Sequence, residues 1–272
     1  NETQIMREVF GYDARMLSPE ELRRDYVNDA DSHGAMHEPD GIGVHPLKLA
    51  FGYLRKAREL GVKVHPASPV LGVETRNGVH HLRTPGGTVR ARAVGFATGG
   101  YTSNALHGSL RSKIMPILSN SLVTRPLTEQ ELEATGFKTT QVITDTRTLP
   151  FYFRRLPDNR VQIGSRSAVT GADAPNPIHM AKLVDGLHRK FPALKGITID
   201  YSWWGWVDVS HDMMPRVFQP DPAQSIFYAV GYGGNGVSFS AHAGRRMAGR
   251  IAGRQSKTFV LPIYNSELES PK

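Results

Sequence analysis

The sequence has no cysteine in its 272 residues. That excludes disulfides, thiolate metal sites, a thiol nucleophile and a cysteinyl-linked cofactor. No apolar run approaches about 18 residues, so nothing reads as a membrane-spanning helix. Acidic residues are fewer than basic ones, 25 against 33 lysines and arginines, for a formal charge of +8. Such a balance would suit a polyanion, but the basic residues are dispersed among helices and turns without a dense run or nucleic-acid-binding motif. A solvated basic surface is the simpler account, and no nucleic-acid partner is expected. Neither HExxH nor GxSxG occurs, which removes two common hydrolase signatures. No secretory or transit features open the chain, so a cytoplasmic location is expected. The first residue is Asn1 rather than methionine, and the N-terminus is therefore expected not to be the gene's own. With 39% hydrophobic and 21% charged residues, the composition is that of an ordinary globular chain, long enough for one large domain or two smaller ones.

The most informative stretch lies near the end. Ile226 to Val230 is a short apolar run closed by Gly231-Tyr232-Gly233-Gly234-Asn235-Gly236-Val237, as a buried parallel strand would be. Beyond it Phe239, Ala243, Met247, Ala248 and Ile251 recur at helical spacing. A strand that enters a glycine turn and opens a helix aims bare N–H groups and a positive helix end at an electron-rich partner. Gly231-x-Gly233-x-x-Gly236 also fits the dinucleotide fingerprint. The ribose-binding acid expected about 20 residues on has no candidate in Gln255 to Leu261, and no further βα units follow. The alternative is a glycine turn that merely lets a helix pack close on a sheet.

Earlier in the chain, Ser18-Pro19-Glu20-Glu21 is a capping box that starts a short helix. Residues 29–44 read as loop; His33, His37 and His45 with Glu38 lack metal-site spacing and are expected to be solvated loop residues. Pro46 opens a helix whose stripe of Leu47, Ala50, Phe51, Leu54, Ala57 and Leu60 ends at Gly61, followed by a strand at residues 62–64. Residues 70–74, 78–83 and 88–91, split by Asn77-Gly78 and Pro85-Gly86-Gly87, read as a three-stranded meander. Ala93 to Gly100 is a buried strand running into glycines. Further strands are expected at 117–123, 141–144, 151–154, 161–164 and 197–207, with helices from the capping box at Thr128 and over 179–191.

Aromatic and polar residues offer candidates for a substrate cavity. Tyr152 and Phe153 precede Arg154-Arg155 on one strand; core packing of one ring and solvated arginines are the plain alternative. Trp203, Trp204 and Trp206 cluster on another strand, Trp204 and Trp206 on one face. His211 precedes Asp212-Met213-Met214-Pro215 and reads either as a base or as a loop histidine.

Four segments, in this order, resemble the C-terminal two-thirds of the glycine oxidase/sarcosine oxidase/D-amino-acid oxidase family of FAD-dependent oxidoreductases. They are His45-Pro46-Leu47 with its helix, Pro69-Val70, Phe96-Ala97-Thr98-Gly99-Gly100, and Gly231 to Val237. Within the family the likeness is to the amine-oxidising γ-glutamylputrescine oxidoreductase type. The resemblance implies an α/β (α+β mixed) architecture: an incomplete FAD-binding α/β domain with a β-meander over 1–100, a mixed-sheet substrate domain over 101–220, and a return to the first domain over 221–272. It implies non-covalent FAD, with Val70 near the adenosine through its backbone. Thr98, Gly99 and Gly100 would run close to the cofactor, and Gly231, Gly233, Gly234, Asn235, Gly236 and Val237 would face the flavin ring. Tyr152, Trp204 and His211 become the substrate-cavity candidates, with a small amine or amino acid as substrate and no metal. The family opens with a βαβ unit that carries the true fingerprint, and residues 1–43 contain none. The chain is therefore expected to be a fragment, inactive alone, that self-associates through the face left by that unit. The rival readings are a nicotinamide-dependent dehydrogenase using the terminal GxGxxG, and a non-catalytic substrate-recognition or interaction module.

Overall fold

The structure, a computed structural model, describes residues 2–167 and 173–254. It separates into two compact units, Asn1–His45 with Leu118–Gly205, and Pro46–Ile117 with Trp206–Lys272. These bounds differ from the expected ones because residues up to 45 cluster with the central region rather than with the meander.

The first unit begins with helix α1 (Glu2–Phe10) and strand β1 (Arg15–Leu17). Helix α2 (Pro19–Asp25) follows, its capping box complete: the Glu21 N–H donates to Ser18 Oγ and the Ser18 N–H to the Glu21 carboxylate. Strand β2 (Ala35–His37) pairs antiparallel with β1. The expected loop over 29–44 is thus interrupted; three residues are too few for an alternation to show in the sequence. His37 lies on this strand, half-buried, its ring 5.4 Å from Tyr26 rather than free in solvent.

Helices α4 (Glu129–Thr135) and α5 (Ile178–Lys190) pack beside a five-stranded sheet. Its strands are β7 (Met115–Thr124), β8 (Ile143–Thr144), β9 (Phe151–Arg155), β10 (Val161–Arg166) and β11 (Ile199–Val209), ordered β11-β7-β10-β9-β8. The period of two sends Phe151, Phe153, Val161 and Ile163 to one face of this sheet. There Leu183 and Leu187 of α5, four residues apart, and Phe191 beyond it complete the core. Three phenylalanines interlock, Phe137–Phe191 at 4.9 Å and Phe153–Phe191 at 5.6 Å between ring centroids. Lys190, 1% exposed, reaches Asp29 at 3.1 Å and Asp145 at 3.2 Å, so the buried cation is paired twice.

The second unit contains helix α3 (Pro46–Glu59) and the meander β3 (Gly72–Arg76), β4 (Val79–Thr84) and β5 (Gly87–Ala91), paired in that order. Asn77 and Gly78 both have positive φ, 51° and 74°, as a two-residue hairpin of the primed type requires. Two expectations fail here. Residues 62–64 form no strand; Val62 and Val64 are exposed and no neighbour pairs with them among the described residues. The apolar stripe of α3 is present, yet none of the helix is buried, with Leu47 and Phe51 about three-fifths exposed at 59% and 60%.

A three-stranded sheet completes the unit: β6 (Val94–Phe96), β12 (Arg216–Phe218) and β13 (Ile226–Val230), ordered β12-β13-β6. All five residues of β13 are buried, as its uninterrupted apolar run implies. Helix α6 (Gly236–Ile251) follows, with Ala243 buried against Val217 and Ala229, and Phe239 and Met247 beside them. Paired positions carry a ladder of rings: Phe96 stacks on Tyr228 at 5.0 Å, and Phe218 on its other side at 4.9 Å. The Tyr228 hydroxyl bonds His107 Nδ1. Burial, and then the nearby His80, hold the His107 imidazole below its ordinary pKa.

Tyr228→Ala removes the middle ring and is expected to cost about 3–5 kcal/mol, whereas Tyr228→Phe loses only the hydroxyl, about 1 kcal/mol. Urea unfolding followed by far-ultraviolet circular dichroism measures both; equal effects would mean that the ladder does not stabilise the fold.

Candidate cofactor site

Strand β13 runs parallel to β6, with Ile226 opposite Val94, Phe227 opposite Gly95 and Tyr228 opposite Phe96. Both strands therefore deliver the segments that follow them, Ala97–Gly100 and Gly231–Gly236, to the same sheet end. Clefts outside the carboxyl ends of parallel strands are where α/β sheets bind ligands. In the second segment Gly231, Gly233 and Gly234 have φ of 80°, 61° and 104°, a run of backbone that only glycine adopts without strain. Gly234, Asn235 and Val237 are exposed. The turn ends where α6 begins, so the N–H groups of Gly236, Val237 and Ser238 have no acceptor one turn back within the helix. The first segment forms a tight 3₁₀ turn over Gly99–Tyr101. Thr102 Oγ1 donates to the Gly99 carbonyl at 2.7 Å and pairs with Thr98 Oγ1 at 2.6 Å.

The end of β11 holds the second segment in place. Asp208 Oδ2 accepts the Gly231 N–H at 2.7 Å, and the Asp208 carbonyl accepts the Gly233 N–H at 2.8 Å. Burial pushes this carboxyl above its ordinary pKa, against backbone N–H bonds that favour the charged form. Tyr232, half-buried beside it, is pushed up to about 12, first by desolvation and then by the Asp208 charge. The folded chain thus holds the Asp208 proton more tightly than the unfolded chain. This group's contribution to stability falls as pH rises from its ordinary 3.8 through the raised value.

Two glycines have packing roles of their own. A Cβ on Gly233 would lie 2.5 Å from the Met213 carbonyl oxygen, and one on Gly100 would lie 2.8 Å from Trp206 Cβ. The close approach of Trp206 on β11 therefore leaves no room for a larger residue at Gly100. The Asp212-Met213-Met214-Pro215 step is a tethered turn. Asp212 pairs with Arg216 at 2.5 and 2.8 Å and accepts from Ser210 Oγ and the Met214 N–H. The Arg216 guanidinium keeps the Asp212 carboxyl well below the usual carboxylate range. His211, in the same turn, is exposed.

The other candidates divide between the two units. Val70 belongs to the second, partly buried, its side chain packed on the Val94, Phe96 and Tyr228 cluster. Tyr152 and Trp204 belong to the first. Phe153 is core, while Tyr152 lies on the opposite sheet face, half-buried, with its hydroxyl bonded to Ser119 Oγ. Arg154 and Arg155 are half-buried rather than solvated; Arg154 donates to Gln162 at 3.3 Å and to the Val44 carbonyl at 3.1 Å. Trp203 and Trp204 are both about half exposed, at 47% and 49%. The sequence reading missed Asp208 altogether. Its signal was a lone acid at the end of the apolar Trp206-Val207 run. The unmatched segment Gln255 to Leu261 lies outside the described residues.

A mixed α/β fold that joins two glycine turns at the carboxyl end of a parallel strand pair defines a nucleotide-cofactor type of protein. The chain belongs to the DAO family of FAD dependent oxidoreductases, whose sequence profile matches residues 2–250. It is 31% identical to the γ-glutamylputrescine oxidoreductase of Escherichia coli over 239 residues, covering 88% of this chain and 54% of that protein. It is 27% identical to the oxidoreductase OrdL of Haemophilus influenzae, covering 92% of this chain and 57% of that protein. The chain thus spans little more than half the length of these curated relatives. Its fold matches that of glycine oxidase from Geobacillus kaustophilus with a TM-score of 0.77 at 19% identity, covering 95% of this chain and 68% of that one. The cofactor of the family is FAD. No helix among the described residues is long and apolar enough to cross a membrane.

Gly233→Ala and Gly100→Ala are each expected to destabilise the second unit by about 1–3 kcal/mol, through overpacking against fixed backbone. Gly244→Ala on α6, where a Cβ meets nothing within 4 Å, is expected to be neutral or stabilising. Thermal unfolding of the three variants checks this; loss of stability in the Gly244 variant alone would reverse the assignment.

Proposed function

We propose that the chain forms the flavin-facing part of an FAD-dependent oxidoreductase that converts an amine or amino acid to its imine. The observation that carries this reading is the meeting of the Thr98–Gly100 and Gly231–Val237 segments at one end of the β6–β13 pair. When bound, FAD supplies the hydride acceptor, flavin N5. Thr98, Gly99 and Gly100 line one side of the cofactor. Gly231, Gly233, Gly234, Asn235, Gly236 and Val237 form the turn that faces the flavin ring: Gly231 and Gly233 are its buried base, and the exposed Gly234, Asn235 and Val237 with the positive end of α6 meet the ring edge where negative charge accumulates. Val70 contacts the adenosine end through its backbone. Tyr152, Trp204 and His211 are the candidates for the substrate cavity. A neutral amine needs orientation more than a strong base to deliver hydride, so the absence of an assigned side-chain base is compatible with this chemistry. The Escherichia coli relative, named for an amine substrate, supports the amine class.

Retention of the flavin's visible bands after FAD is added to the purified chain and excess removed is the expected outcome. Anaerobic addition of a panel of amines and amino acids should then bleach those bands. If FAD is retained but no member of the panel bleaches it, the amine reading is wrong. If FAD is lost and a nicotinamide cofactor is bound instead, the dehydrogenase reading replaces it.

The uncovered stripe of α3 favours a second property, self-association through that helix. Leu47, Phe51 and the adjacent Leu60 are exposed large apolar side chains, and burying each fully is worth roughly 1.5–3 kcal/mol. Sedimentation velocity is expected to show concentration-dependent association that Phe51→Glu reduces. A monomer at all concentrations would remove this reading.

A further inference from the structure

Asp208 is 7% exposed and lies between the two glycine segments. On one side its carboxylate accepts the Gly231 N–H at 2.7 Å and its carbonyl accepts the Gly233 N–H at 2.8 Å. On the other, a Cβ placed on Gly99 would lie 3.8 Å from the carboxyl carbon. The next residue, Val209, forms a bridge with Tyr232, so three successive turn residues are tied to two successive residues of β11. Its bonded partners are backbone N–H groups, and the titratable group beside it is the Tyr232 phenol. The Asp212–Arg216 ion pair of the neighbouring turn is linked to the same segment by Ser210 Oγ, which lies 3.2 Å from Asp212 Oδ1 and 3.4 Å from the Gly231 carbonyl oxygen. The Asp208 clamp therefore acts on the backbone N–H groups of Gly231 and Gly233, which have no side chains to fix them.

We propose that Asp208 is the positioning residue of the glycine turn. By holding Gly231 and Gly233 from below, it fixes the direction in which the free N–H groups of Gly236, Val237 and Ser238 point. The mechanism is geometric. A left-handed glycine run has the widest conformational choice of any backbone, and a bond from a buried carboxylate at its first residue removes that choice. That the ligand facing those N–H groups is the flavin rests on the function proposed above; the clamp itself does not.

The test separates the two. Amide hydrogen exchange of the whole chain, without FAD, is compared for the native protein, Asp208→Asn and Asp208→Leu. Leucine fills the space without an acceptor, and asparagine restores one oxygen. The expected result is at least tenfold faster exchange at Gly231 in the leucine variant. Asparagine should return it to within about threefold of native, and exchange at Phe227 to Ala229 of β13 should be unchanged in both. Equal rates in the asparagine and leucine variants, or faster exchange spread along β13, would mean that Asp208 only fills space and would overturn the proposal. FAD retention is then measured on the same three proteins. If native protein retains FAD and the leucine variant loses it, the clamp serves the cofactor. If the clamp is lost while FAD retention stays native, the positioning role is refuted even though the contact is real. If even the native protein retains no FAD, the functional reading fails, and the exchange result alone decides the clamp.

Discussion

The register of β13 between its two neighbours is the constraint on which the second unit depends. Phe96, Tyr228 and Phe218 lie at paired positions, so stacking each ring on the next fixes which residue faces which. A slip of one residue would turn Tyr228 away from both partners and from His107. It would also separate the two glycine segments, which meet only because β6 and β13 end at the same level. The ladder is a packing feature with a geometric product: it carries two loops far apart in sequence to one place.

At that place the polarity comes from backbone rather than from ionised side chains. The helix end of α6 supplies partial positive charge, and the buried acid beneath it supplies an acceptor whose ionisation burial opposes. Such a surface can orient a large planar cofactor and respond to charge on it without donating or removing a proton through a side chain. In the function proposed above, reaction chemistry would belong to the bound group, and the chain would contribute direction, distance and local field.

Much of the fold was legible because the local signals were strong. Both capping boxes, the Asn77-Gly78 hairpin, the stripe of α5 and the apolar run of β13 each follow from spacing or turn chemistry within a few residues. What escaped were features that need a distant partner. Strands β1, β2 and β12 are three residues each, too short for a period, and exist through pairing. The stripe of α3 was legible as a helix face, but sequence spacing says nothing of what covers it. At the candidate site the glycine segments could be read, since positive φ leaves a signature in composition. Asp208 could not, because one acid after an apolar run carries no sign of the backbone it will bond. Nor could the packing of Gly100 against Trp206, a neighbour that only folding brings near.

The parallel pairing of β6 with β13 also sets a timetable. Val94 and Phe96 leave the ribosome well before their partner at Ile226 to Tyr228, with the whole sheet of the first unit encoded in between. At elongation rates of about 5–20 residues per second the interval is roughly 7–26 s. During that time β6 has apolar side chains and an unpaired edge but no strand to receive them, and loop closure over such a distance is slow in any case. Collapse onto the meander or chaperone binding would shelter this segment until β13 is made.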